Sequence, residues 1–184
     1  MDELGYNRWI MQTDGENAIT AWAKETRKEW FRESTAADTA DVERAIPLRT
    51  SPKESHASTG MVETTVQALA GLTRSLRNDV EKYTGIVITP SSPLLPWLVR
   101  HASFILTRFK LRANGRTAFE ELRTVKYESP VVKIFEKVIA KVSGSADQKL
   151  EGPWLEGLWL GRAGDTNEHL VAAETGVVRG RTVR

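Results

Sequence analysis

Two acidic residues stand where carboxylates could do chemistry. Asp14 follows the short apolar run Trp9, Ile10 and Met11, and Glu63 falls in the first turn of the most regular helical pattern in the chain. A strand end and a helix start are rigid supports, so side chains there can hold an ion without flexing. Hard divalent cations such as magnesium take oxygen ligands, and a pair of such ions held by three or four carboxylates clamps the attacking and leaving oxygens of phosphodiester chemistry. The same placements have a plainer reading: an Asp after a strand is a common turn residue, and the helix dipole favours an acid in a first turn.

Those supports must come from the surrounding elements. Arg8 to Thr13 is short and apolar, which predicts a buried strand, and Ala18 to Arg32 carries Ile19, Trp22, Ala23, Thr26 and Trp30 at roughly helical spacing. Ser34 to Asp41 reads as a loop or a frayed helix end, Ala45 to Arg49 as a second short strand, and Thr50 to Ser58 as a polar connection. From Gly60, Val62, Val66, Leu69, Leu72, Leu76 and Val80 recur every three or four residues, predicting a long helix that ends at Tyr83-Thr84-Gly85. Pro90, Pro93 and Pro96 then enforce an extended link into a helix from about Pro96 to Leu111. Ala113-Asn114-Gly115 is a turn, and Thr117 caps a short helix over Ala118 to Leu122. Residues 131–142 fit a helical stripe and a β-branched strand equally well, and the pattern leaves both open. Leu155 to Leu160, Glu168 to Ala173 and Val177 to Val183 read as strands. The predicted fold class is α/β, with short strands and long helices over 1–125 and a small β-rich, barrel-like module over 126–184.

Composition narrows the function classes. The 184 residues are 40% hydrophobic and contain no cysteine, which excludes disulfides, cysteine-ligated zinc and thiol catalysis. No run approaches the eighteen apolar residues of a spanning helix, and the N-terminus carries acids where a signal peptide is basic, so an intracellular protein without a membrane partner is expected. The net charge of +2 is uneven: residues 1–99 hold 11 Lys/Arg against 14 Asp/Glu, and residues 100–184 hold 15 against 10. The second half is therefore where a polyanion would settle, although an ordinary solvated surface carries similar charge.

The order of motifs resembles the integrases of Copia-type retroelements, members of the DDE superfamily. "RWIMQTDGENAI" is similar to the strand and second acid of the integrase core. Thr59-Gly60-Met61-Val62-Glu63 is similar to the Asn-Gly-x-Val-Glu signature of the third acid, with Thr59 in place of Asn. "PWLVRHASFILTRF" resembles a later core helix, "GRTAFEELRTVKY" the segment that follows it, and "LEGLWLGRAGDTNEHLVAAETGVVRGRTVR" the small C-terminal β-module. The resemblance runs from about Asn7 to the end. It implies a partial ribonuclease H-like core, with Asp14 and Glu63 as catalytic acids and magnesium ligands, DNA as partner, a homo-oligomeric assembly and a nuclear site of action if the role is retained.

Three departures qualify what the resemblance implies. Only thirteen residues precede Asp14, leaving no room for the hairpin that carries the first acid; 48 residues separate Asp14 from Glu63; and no His/Cys zinc domain is present. Two acids cannot hold two ions tightly, so little strand transfer is expected from this chain alone. A non-catalytic DNA-binding or assembly module and a structural protein with no nucleic-acid role are the alternatives. For DNA contact the candidates are Arg74 and Arg77 on the long helix, as the resemblance implies, and Arg179, Arg181 and Arg184 as a basic stripe along the last strand. His56, His101 and His169 are read as solvated, as a helix residue at the rim of the core, and as a strand residue. Trp9, Trp22, Trp30 and Trp97 are read as core, with one of Trp154 and Trp159 exposed enough to stack on a base.

Overall fold

The computed structural model describes residues 10–13, 16–33, 47–50, 56–142, 154–164 and 166–184, with the backbone alone for 29–33 and 56–59. The chain is mixed α/β and divides into two compact units, Met1–Val66 and Gln67–Arg184. Trp9, Asp14, the 34–41 loop, and the side chains of Trp30 and His56 fall outside the described residues.

In the first unit, strand β1 (Met11–Thr13) pairs in parallel with β2 (Leu48–Thr50), Met11 opposite Leu48, with helix α1 (Asn17–Glu33) between them in sequence. A parallel pair needs such a crossover. The strand is shorter and less buried than its apolar run suggests: Met11 and Thr13 are half-buried, Gln12 is exposed and Ile10 is 49% exposed. Two short strands bury little on either face. On α1 the buried residue is Ala23, while its neighbour Trp22, expected in the core, is 63% exposed. Adjacent helical positions differ by about 100°, so a stripe centred on Ala23 turns Trp22 outward.

Helix α2 (His56–Thr84) follows the predicted stripe, but its two ends differ. Val62 and Val66 are exposed, whereas Leu76 packs on a hydrophobic cluster that includes Val80, Ile88, Leu98 and Ile134. The helix stops at Gly85, whose φ of 73° is a left-handed terminal conformation that glycine adopts without strain. The Glu81 carboxylate accepts from the Ile88 amide at 2.8 Å, and the Tyr83 hydroxyl donates to the Ile134 carbonyl at 2.6 Å, which pins the chain reversal to the second unit's core.

Helix α3 (Leu95–Phe109) has Pro96 in its first turn, where the missing amide costs nothing, and buries Leu98, His101 and Ala102 at i, i+3 and i+4. Helix α4 (Ala118–Arg123) starts at Thr117 with a full capping box: the Thr117 hydroxyl accepts from the Glu120 amide at 3.1 Å, and the Glu120 carboxylate accepts from the Thr117 amide at 2.7 Å.

The ambiguous stretch resolves as a turn and then strand β3 (Lys137–Val142). Its alternating burial, Val138 and Ala140 in, Lys137 and Ile139 out, is a strand period that a helical stripe could not satisfy. With β4 (Trp154–Arg162), β5 (His169–Ala173) and β6 (Gly176–Val183) it forms antiparallel pairs in the order β3, β4, β5, β6, and β6 returns to pair with β3, so the pairings run round a ring. Trp159, fully buried, and its cross-strand partner Val171 belong to the hydrophobic core, as does Leu160. The ring is close-packed at Gly157, where a Cβ would collide with the Ala172 carbonyl oxygen.

Candidate nucleic-acid interface

A narrower charge count locates the basic half more finely. Residues 100–126 hold seven Lys/Arg (100, 108, 110, 112, 116, 123 and 126) against Glu120 and Glu121, a net +5; residues 127–184 hold eight of each sign, a net of zero. The whole excess of the second half therefore lies between Arg100 in α3 and Lys126 just beyond α4, and all of these cations except Arg100 lie from the end of α3 onward. Lys110, Arg112, Arg116, Arg123 and Lys126 are all exposed. Arg112 is bonded to Glu121, but Lys110, Arg116, Arg123 and Lys126 form no ion pair with another described residue. The Glu120 carboxyl is held below its ordinary range by the Thr117 amide first, and also by the field of Lys126 and Arg116.

This cationic segment is held by an aromatic cluster. Tyr127 meets Phe104, Phe109 and Phe119 edge to face, with centroids 5.4 to 5.7 Å apart. The Arg108 guanidinium lies 4.2 Å over the Phe104 ring and 5.2 Å over Phe119 and Tyr127. Arg108 is thereby committed to packing, and it fixes α3, α4 and the irregular strap after α4 to one another. At the turn, Asn114 donates to Glu121 at 2.6 Å and accepts from the Arg116 amide at 3.1 Å, which holds the backbone between the cations.

The strap continues into the ring. The Tyr127 hydroxyl donates to the Asn167 side-chain oxygen at 3.2 Å, and the Asn167 amide donates to Ser129 Oγ at 3.1 Å. Arg162 donates to the Asn167 carbonyl at 2.8 Å and to the Pro130 carbonyl at 2.9 Å. Arg162 and Asn167, held by these bonds, line a cleft of about 450 Å³ together with Thr166, Glu168 and Arg181.

The candidates named from the sequence are dispersed. Arg74 is exposed, with Nε donating to the Ala70 carbonyl at 3.3 Å, and Arg77 is 3.7 Å from Glu81 on the same helix. Arg179 and Arg181 are exposed on β6, and Arg181 is 3.7 Å from Glu168. Arg184 does not share their face by strand alternation, since it lies three residues past Arg181 and beyond β6; its guanidinium rests 4.8 Å over the Trp154 ring. Glu63 is an exposed residue of α2, whereas Asp14 is not described, so the carboxylate pair is half placed. Among the described residues no group of three His, Asp or Glu side chains could hold a metal ion. Arg116, Arg123 and Lys126 were not singled out from sequence, although a window finer than half the chain finds them.

One histidine differs from expectation, while His169 is the strand residue it was expected to be, in β5. His101, predicted at the rim, is 4% exposed, and its ring meets Trp159 edge-on at 5.4 Å. His169 is 6% exposed and accepts the Trp159 indole N–H at 2.9 Å. Burial pushes His101 down to about 4; burial and then the Arg162 charge do the same to His169, also to about 4. Both rings are neutral structural groups at neutral pH. Trp159 is fully buried and unavailable for stacking, which leaves Trp154, half-buried under Arg184.

In comparisons with known proteins, no family model and no curated protein matches the chain. No helix among the described residues is long and apolar enough to cross a membrane.

Proposed function

We propose that the chain is a nucleic-acid-binding module of retroelement-integrase ancestry, in which a cationic surface on the second unit, and not the carboxylate pair, is the working part. The observation that carries this reading is the concentration of net +5 on residues 100–126, where the exposed Lys110, Arg116, Arg123 and Lys126 form no ion pair with another described residue. Neighbouring unpaired Lys and Arg at fixed spacing attract phosphates and release condensed counterions. The outward arginines of β6 extend the same chemistry onto a ring that resembles the barrel-like module of the family.

On this reading Asp14 and Glu63 are what remains of a ribonuclease H-like site. A magnesium ion there would be weakly held, because hard cations need more oxygen ligands than two carboxylates offer. Polynucleotidyl transfer and a homo-oligomeric assembly belong to the ancestry. The test is DNA affinity as a function of salt. Binding should weaken steeply, and replacing Arg116, Arg123 and Lys126 together by Gln should flatten the dependence of log K on log salt by about 2 units on single strands. An affinity indifferent to salt, or to the triple replacement, refutes the reading in favour of a structural protein.

A further inference from the structure

The cleft between the β4–β5 turn and β6 differs in kind from the cationic surface beside it. Among the described residues its lining joins two guanidinium groups to a carboxylate within about 450 Å³, near the lower end of the roughly 300–1,000 Å³ typical of small-molecule sites. Arg162 is held in place, each terminal nitrogen donating to a backbone carbonyl, so it contributes a positioned charge. Arg181 is the opposite: 85% exposed and only loosely paired, at 3.7 Å, with one oxygen of Glu168. The other Glu168 oxygen accepts from the Thr166 hydroxyl at 2.9 Å. Each carboxylate oxygen has two lone pairs, so Glu168 keeps acceptor capacity toward the cleft. Asn167 forms wall and not contact group, since both ends of its amide are bonded to the strap.

A bare phosphate suits this lining poorly, because Glu168 repels it. A ligand that presents an anion to Arg181 and an N–H donor to Glu168 satisfies both, and a nucleotide with an amino-bearing base has that pair of groups. A base within an intact duplex cannot enter so small a space without leaving the stack, at a cost of a few kcal/mol. Building on the nucleic-acid reading above, we infer that this cleft takes one unpaired nucleotide of a single strand, with its phosphate on Arg181 in the field of Arg162 and the amino group of its base on Glu168. A carboxylate accepting from the cytosine amino group is a known pairing; thymine carries no amino group, and its one N–H, at N3, lies between two carbonyl oxygens that repel a carboxylate.

The experiment uses the full chain and labelled oligonucleotides of about 15 nucleotides, a length that covers one small binding fold, read by fluorescence anisotropy at neutral pH. Oligo-dC is expected to bind about tenfold more tightly than oligo-dT, the worth of one hydrogen bond to a charged group, and more tightly than a blunt duplex of the same length. Glu168→Ala should bring oligo-dC to the oligo-dT level and leave oligo-dT unchanged. Arg181→Ala should weaken both, with far-UV circular dichroism confirming that each variant keeps its fold. Equal binding of dC and dT, a Glu168→Ala variant that keeps the preference, or tighter binding of the duplex overturns the inference while leaving salt-dependent binding through Arg116 and Arg123 standing. Displacement of oligo-dC by equimolar cytidine monophosphate overturns it in favour of a free-nucleotide site. Absence of binding to every oligonucleotide refutes the nucleic-acid reading and the cleft assignment together.

Discussion

Mild acid should destabilise the second unit through His101 and His169. In the folded chain both imidazoles are neutral, with pKa values lowered from 6.5 to about 4, one by burial and the other by burial beside Arg162. The unfolded chain binds a proton at each ring near pH 6.5, so between pH 6.5 and 4 it holds more protons than the folded one, and stability falls as pH falls. The contribution is complete above pH 6.5 and is lost progressively down to about pH 4, below which it levels off. A shift of about 2.5 units corresponds to about 3 kcal/mol per ring at the acid limit, and the part lost between about pH 7.5 and 5 is about 2 kcal/mol for each. Together that is about 4 kcal/mol, a large share of the 5–15 kcal/mol that stabilises a typical domain. Protonating His169 also removes the acceptor of the buried Trp159 indole, which acts in the same direction. Urea unfolding of the full chain, followed by far-UV circular dichroism across this pH range, measures the loss. The comparison protein is His101→Leu/His169→Gln, in which leucine removes the unpartnered Nδ1 of His101 and glutamine offers an oxygen to the indole without titrating. Carboxylates titrate in both proteins and cancel in the difference. Parallel stability profiles for the two would refute the reasoning, because the histidines would then contribute nothing to the acid sensitivity.

Further outcomes concern single side chains. Thr117→Ala removes the reciprocal cap of α4 and should cost about 1 kcal/mol, seen as a lower thermal midpoint with retained ring structure. Gly157→Ala places a methyl group against the Ala172 carbonyl and Val171 and should cost about 3 kcal/mol or prevent closure of the ring, visible as loss of near-UV signal from the buried Trp159. Glu63→Gln should leave DNA affinity and its salt dependence unchanged; a clear gain or loss would return weight to the carboxylate pair.

Local features of this protein were legible from the sequence. The cap at Thr117, the left-handed end at Gly85, the proline link into α3 and the three C-terminal strands each depend on residues within a few positions of one another, and such signals survive without a fold. The mixed α/β class followed from them. Burial was not legible in the same way. Trp22 and Trp159 are the same residue type on comparably apolar stretches, yet one is 63% exposed and the other fully buried, because only Trp159 has β5, α3 and the ring interior around it.

The site divides along the same line. Sequence alone sets the charge of residues 100–126, and counting over half the chain blurred it into a general excess. Which of those cations face solvent was decided by tertiary contacts: Arg108 is enclosed by Phe104, Phe119 and Tyr127, and Arg112 is bonded to Glu121, while Arg116, Arg123 and Lys126 are left outward. The cleft likewise depends on bonds between residues 30 to 40 positions apart, such as Arg162 with Pro130 and Tyr127 with Asn167, and no local pattern encodes them. Propensity and capping act over one or two turns, whereas burial and pairing depend on which distant segments meet. For that reason most elements, β3 excepted, could be read from the chain, and the surface they present could be read only from the fold.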